Sequence, residues 1–97
     1  MAFTSANLTL LADGNGFKTF RYDSTDAVAA IDGTGYINNA DDGQNLAVGD
    51  LVWVVQWNTA VRTGTIADVS LHVAMAVTAN AVDLSDDLLG ATVANTD

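Results

Sequence analysis

The sequence predicts an all-β domain with one short helix, a compact β-barrel or β-sandwich of five to eight short strands. Three observations predict it. All twelve acidic residues are Asp and none is Glu, and Asp favours caps and turns because its short side chain competes for nearby backbone groups. The chain is rich in Val, Ala and Thr, with eight Gly and no Pro, which suits strands joined by turns. Its apolar residues fall mostly in short runs and alternating stretches.

The elements follow in order. Residues 3–11 are weakly apolar and read as an edge strand or an extended arm. Segment 1–12 is therefore set apart from a single β-rich domain at 13–90 and a tail at 91–97. Asp13-Gly14-Asn15-Gly16 is a turn signal. Phe17 to Tyr22 makes a strand with Phe20 and Tyr22 on one face and Thr19 and Arg21 on the other. At Asp23-Ser24-Thr25-Asp26 a helix is expected to begin, with Ser24 or Thr25 as its cap and Asp26 at the positive end of its dipole. Ala27 to Ile31 then gives about two turns, ended by Gly33 or Gly35. Tyr36-Ile37 is a short strand, and residues 38–45 form a polar loop.

Leu51 to Trp57 is the clearest core element. It is apolar on both faces, which predicts a strand covered on both sides. Leu51, Trp53, Val55 and Trp57 share one of those faces. The stretch Ile66 to Thr78 alternates, with Val69, Leu71, Val73, Met75 and Val77 on one face and Ser70, His72, Ala74, Ala76 and Thr78 on the other. It is one long strand or two with a bend. A last strand is expected at Ala79 to Leu84, and one capped helical turn at Ser85 to Gly90.

Composition limits the function. Three cations, Lys18, Arg21 and Arg62, stand against twelve acids, giving a net charge of −9. Phosphate neutralisation needs clustered Lys and Arg, so neither nucleic acid nor an anionic membrane surface is expected as a partner. The chain is 49% hydrophobic and only 15% charged, against about 25% charged in ordinary soluble domains. A small domain with so few charges is expected to have part of its apolar surface covered by another chain. No cysteine is present, so neither disulfides nor thiolate metal sites are expected. The first residues lack the basic start and apolar core of a signal peptide, and no stretch nears the length that spans a bilayer, so a cytoplasmic protein is expected.

The chemistry-bearing patterns are sparse. His72 lies on the more polar face of its strand and is read as a surface or interface histidine, since a general base needs an orienting partner and usually a nucleophile. Asp41-Asp42 and Asp86-Asp87 read as solvated turns, because adjacent carboxylates diverge and a chain this short has little room for a glycosidase cleft. Asp13-Gly14-Asn15-Gly16 opens like a calcium loop but continues with Phe17 and offers no Glu. The glycines at 33 and 35 lack the Gly-Lys-Ser/Thr completion of a phosphate loop. No enzyme activity and no cofactor are expected.

The segment Tyr22-Asp23-Ser24-Thr25-Asp26-Ala27-Val28-Ala29-Ala30-Ile31, then Gly35-Tyr36-Ile37-Asn38, then Leu46-Ala47-Val48-Gly49-Asp50-Leu51-Val52, resembles small virion proteins of tailed bacteriophages. The likeness runs from Tyr22 to about Trp57, and its motifs are structural. In that group a Phe is expected after Gly-Tyr, where Ile37 stands. The resemblance implies a capsid decoration (cement) protein or a head-fibre component, usually a homotrimer, at capsid symmetry axes. Its partners would then be the major capsid protein and further copies of itself, and its place the virion surface after assembly in the host cytoplasm. The alternative is a receptor- or carbohydrate-binding module of the virion, which needs an exposed Trp53 or Trp57. Interface candidates are Phe3, Leu8 and Leu10 in an arm that reaches towards the capsid, with Phe20, Tyr36, Trp53 and Trp57 in the domain as interface or core anchors, since the sequence does not say which face each takes. An arm of this kind is expected to be removable without unfolding the domain.

Overall fold

The computed structural model describes residues 3–14, 16–39 and 45–89. A 3-10 turn at Ser5–Asn7 leads into β1 (Leu8–Gly14) and β2 (Phe17–Ser24). The helix α1 (Val28–Ile31) and the short strand β3 (Ile37–Asn38) follow, then β4 (Leu51–Trp57), β5 (Ile66–Thr78) and β6 (Ala81–Leu84). The six strands make one sheet in the order β1-β2-β4-β5-β6-β3, curled into a half-barrel. Neighbours are antiparallel except β2 and β4. The carboxyl pair Asp41-Asp42 and the tail at 91–97 lie outside the described residues.

The parallel pair decides how the core is closed. Parallel neighbours need a long crossover, and residues 25–50 make it. That segment places Ile31, Ile37 and Leu46 against Leu8, Phe20, Tyr22, Val52, Val54, Ala74, Val82 and Leu84 to form the core. The register aligns the inward rows: Leu8, Tyr22, Val54 and Ser70 in one, Phe20, Val52 and His72 in the next.

Several local expectations are corrected. The helix has one turn instead of two, and its N-cap is Ala27, which offers no side-chain acceptor; the Val28 N–H donates to Gln56 Oε1 of β4 at 3.3 Å. Ser24 Oγ instead accepts the Asp26 N–H at 2.9 Å, a local bond that competes with capping. Asp26 is held elsewhere, because its Oδ2 accepts the Tyr36 hydroxyl at 2.6 Å. Residues 85–89 are not helical. They run along β5, where Ser85 N–H donates to the Val73 carbonyl at 2.9 Å and Leu88 N–H to the Leu71 carbonyl at 2.8 Å. β6 begins at Ala81, because Ala79 and Asn80 form the tight turn after β5, both with positive φ (51° and 75°). That backbone fits a primed hairpin turn, which Asn tolerates and Ala does not favour. β5 is one strand of 13 residues, bent by a register shift between Ala74 and Ala76.

The first residues are not a free arm. The Phe3 ring lies 5.4 Å from that of Tyr22 and 6.1 Å from that of Tyr36, and the two tyrosines are 5.9 Å apart edge-on. Thr4 N–H donates to the Tyr22 hydroxyl at 2.9 Å. The Tyr36 proton goes to Asp26, so the Tyr22 hydroxyl donates to the Tyr36 oxygen at 3.0 Å. Burial, then the Asp26 carboxylate and Tyr22, holds the Tyr36 hydroxyl protonated far above the ordinary phenol range. Leu8, the first residue of β1, is 4% exposed and belongs to the core.

Removing residues 1–7 should therefore destabilise the domain by about 2–4 kcal/mol, from lost ring packing and the lost Thr4–Tyr22 hydrogen bond; urea unfolding followed by Trp fluorescence would measure it. An unchanged midpoint would show that the segment is an appendage. Ala79→Gly should raise stability by about 0.5–1 kcal/mol, since Gly takes positive φ without the Cβ clash; the thermal midpoint reads this.

Candidate interaction surface

Two faces of the sheet carry opposite chemistries, and the distribution is inverted at β5. Its inward positions are Asp68, Ser70, His72 and Ala74, while its outward positions are Val69, Leu71, Val73 and Met75. The strand β4 contributes Leu51, Trp53 and Val55 to the same outward surface, directly opposite Val73, Leu71 and Val69. The two central strands thus present seven apolar residues and no polar one on the outward face between Leu51 and Val55 and between Val69 and Met75. Solvated faces of antiparallel sheets alternate with polar residues. Trp53 and Leu71 are half-buried by their neighbours, and Met75 is 54% exposed. The strand predicted to be covered on both sides is fully buried at its inward Val52 and Val54; on the outward face Val55 is buried at 7% exposed, and Leu51, Trp53 and Trp57 are half-buried.

His72 is not a surface residue; it is wholly buried, as is Ser70. Its Nδ1 lies 2.6 Å from the Ser85 carbonyl oxygen, which can only accept, so Nδ1 carries a proton. In the neutral ring Nε2 then accepts the Ser70 hydroxyl at 2.7 Å. Ser85 Oγ accepts the Val73 N–H at 3.0 Å and donates to the Asp86 carbonyl at 2.9 Å. This satisfied network lets the polar side of β5 face the core, since a buried polar group costs little only when it is paired. A hydroxyl beside an imidazole also resembles a nucleophile and its base, but no cleft opens onto it among the described residues.

A second polar cluster edges the outward face. The Asp23 side chain is fully buried. It accepts Arg21 Nη2 at 2.9 Å and Nε at 3.1 Å, Trp57 Nε1 at 3.0 Å and Arg62 Nη2 at 3.4 Å. Two of the chain's three cations therefore converge on one carboxylate. Arg62 comes from the turn at 58–65 with φ of 66°; the turn is pinned by Asn58 N–H to the Thr65 carbonyl at 2.9 Å. Burial pushes the Asp23 pKa up, but the hydrogen bonds from Arg21 and Trp57, with the charge of Arg21 and the bond from Arg62, outweigh it and leave it below the usual carboxylate range. Asp32 moves the other way, raised mainly by burial, with Asp86 and Asp83 adding to the rise against His72.

Other exposed apolar residues mark the rim. Phe17 is 65% exposed and Val48 60%. They stand at the end of the sheet where Lys18 N–H donates to Asp50 Oδ1 and Gly49 N–H to the Ala74 carbonyl. Of the interface candidates, Leu8 and Phe20 are core residues, because both point to the closed concave side. Phe3 and Tyr36 pack together against that core. Trp53 and Trp57 lie half-buried on β4, with Trp57 held to Asp23, and Leu10 is 40% exposed on β1. Leu71 and Val73 were not among the candidates. Their alternation was legible, but alternation does not say which side of a sheet is closed.

Among the described residues no group of His, Cys, Asp or Glu is arranged to hold a metal ion, and none of the helices is long and apolar enough to cross a membrane. Compared with family models, with curated proteins and with solved structures, the chain matches none.

Asp23→Asn removes the charge that holds Arg21 and Arg62 and should cost about 2 kcal/mol, a fall in thermal midpoint on the order of 10 °C. Because the folded-state pKa of Asp23 is lowered, its contribution is whole above the unfolded value near 3.8 and is lost as pH falls through the folded one. The gap between wild type and variant should thus be constant from pH 7 to 5 and close in stronger acid. A gap independent of pH would show that the cluster is not electrostatic.

Proposed function

We propose that this protein is a non-enzymatic assembly subunit that decorates the outside of a phage capsid, with the outward face of β4 and β5 as its docking surface. The observation that carries the reading is the wholly apolar outward row of Leu51, Trp53, Val55, Val69, Leu71, Val73 and Met75. Such a row is costly in water and gains free energy when another surface covers it. The likeness of Tyr22 to Trp57 to small virion proteins of tailed phages supplies the partner, the major capsid protein. Decoration would work by mass action: a subunit that binds the mature shell and not its disrupted form stabilises the shell. The net charge of −9 then limits sticking to DNA released around it.

A second reading has one observation in its favour. Trp53 and Trp57 are both partly open, which a carbohydrate-binding head-fibre or receptor-binding module needs. Against it, the Trp57 indole N–H is already taken by Asp23.

The test is co-sedimentation of the purified protein with mature shells of the phage that encodes it. Saturable binding is expected, and Leu71→Asp should weaken it by roughly thirtyfold or more while circular dichroism stays unchanged. Failure of the wild type to sediment with shells, together with glycan-dependent quenching of Trp emission, would replace the decoration reading with the carbohydrate one.

A further inference from the structure

The apolar row on the outward face has unlike borders. Beyond β5 runs the segment 85–89, which carries Asp86 and Asp87 and no cation. On the β2 side stand Arg21, opposite Trp53 in the register, and Asp23, opposite Val55. Arg62 reaches this second border from the turn after β4. Two cations and one carboxylate meet there, so the border keeps a positive charge in a chain of net −9.

The two guanidiniums are not held alike. Arg21 grips Asp23 through Nη2 at 2.9 Å and Nε at 3.1 Å. The Arg62 guanidinium makes one hydrogen bond among the described residues, Nη2 to Asp23 Oδ2 at 3.4 Å, and its side chain is 58% exposed. Were Arg62 to leave, Asp23 would keep three donors, two from Arg21 and one from Trp57, and a buried carboxylate so paired stays satisfied. Releasing Arg62 therefore costs the fold little. Its position is built all the same. Arg62 holds φ of 66°, a strained backbone for a residue with a Cβ, which persists where the surroundings over-determine it. Asn58 Nδ2 donates to Thr65 Oγ1 at 2.7 Å and Gly64 N–H to the Ala60 carbonyl at 3.2 Å, which fixes the turn. The turn thus presents a guanidinium with most of its donors unspent, on the same carboxylate as the Trp57 indole.

We infer that the outward face receives a protein surface that sets an acidic side chain against Arg62, beside an apolar strip lying over Trp53, Val55 and Leu71. This rests on the reading of that face as a docking surface, and not on the capsid as the partner. Charge complementarity selects the occupant, because a guanidinium takes a carboxylate in a fork of two bonds. Small-molecule sites are concave, whereas this row runs along two strands with no cavity among the described residues, which fits a protein surface and not a single sugar ring. The acids beyond β5 repel the same carboxylate, and so orient the partner across the row.

The test is an NMR titration of the purified full chain, read on the side-chain N–H signals of its two Arg and two Trp. The probes are phenylbutyrate, an apolar body ending in a carboxylate, its neutral analogue phenylbutanol, and glucuronate. Phenylbutyrate should shift the Arg62 Nε–H and the Trp57 Nε1–H saturably. It should bind about tenfold tighter than the alcohol, the worth of one charge-assisted hydrogen bond. Arg62→Gln should remove that advantage while lowering the thermal midpoint less than Asp23→Asn does, and Arg62→Lys should restore part of it. Equal binding of acid and alcohol, a preference that survives Arg62→Gln, or no saturable shift with the acid would overturn the proposal. So would a fall in midpoint from Arg62→Gln as large as that from Asp23→Asn, which would make Arg62 a pin of the fold. Glucuronate binding tighter than phenylbutyrate would also overturn it, in favour of an acidic sugar. No arm of the titration uses capsids, so a wild type that fails to sediment with shells removes the capsid as partner and leaves this inference to the probes.

Discussion

The parallel pairing of β2 with β4 is the constraint on which the rest of the structure depends. An all-antiparallel meander would have left both faces of the sheet open or required a second sheet. A parallel neighbour instead obliges the chain to leave β2, cross, and return at the same end of the sheet. Residues 25–39 and 45–50 do this on the concave side, where Ile31, Ile37 and Leu46 close the core. One segment thus serves as both connection and second layer. A chain of 97 residues with no cysteine buries only about two-thirds of its unfolded surface, and this economy lets it form a core without a disulfide.

Closing one side leaves the other side open. With the crossover on the concave face, the convex face of β4 and β5 is covered only in part, by its own side chains and by the cluster of Arg21, Asp23 and Arg62 at its edge. The residues on the two sides are distributed in a way that simple patterning would reverse. Ser70 and His72 go in, Leu71 and Val73 go out. The inward polar residues are affordable because Ser85, delivered by the irregular run after β6, completes their hydrogen bonds. The outward apolar residues are only partly covered by the described residues, Met75 being the most exposed, and the functional reading rests on that imbalance.

The polar groups that are buried act as pins between segments distant in sequence. Asp23 ties β2 to Trp57 and to the turn carrying Arg62. Asp50 ties the start of β4 to Lys18 N–H of β2 and to Ala47 N–H. Asp26 ends the relay of hydroxyls from Tyr22 through Tyr36, which also fixes the backbone at Thr4. In each case a short Asp side chain receives donors from segments distant in the chain.

The sequence by itself determined the fold class, the one short helix, and the positions of β2, β4 and β5, because these follow from period-two alternation, apolar runs and turn residues, all local in the chain. Only the tertiary structure decided which face of each strand is inside, because alternation defines two faces and is blind to which of them another segment covers. That is why His72 read as a surface or interface residue from its polar neighbours, why Leu8 read as an interface candidate, and why Phe20 stayed open between interface and core. The residues before β1 read as a free arm for the same reason, since the ring of Phe3 finds Tyr22 and Tyr36 only across the fold. The outward row of Leu71 and Val73 was legible as a stripe, yet its outward placement came from where Ile31, Ile37 and Leu46 pack, and no local pattern encodes the side of a sheet on which a crossover passes.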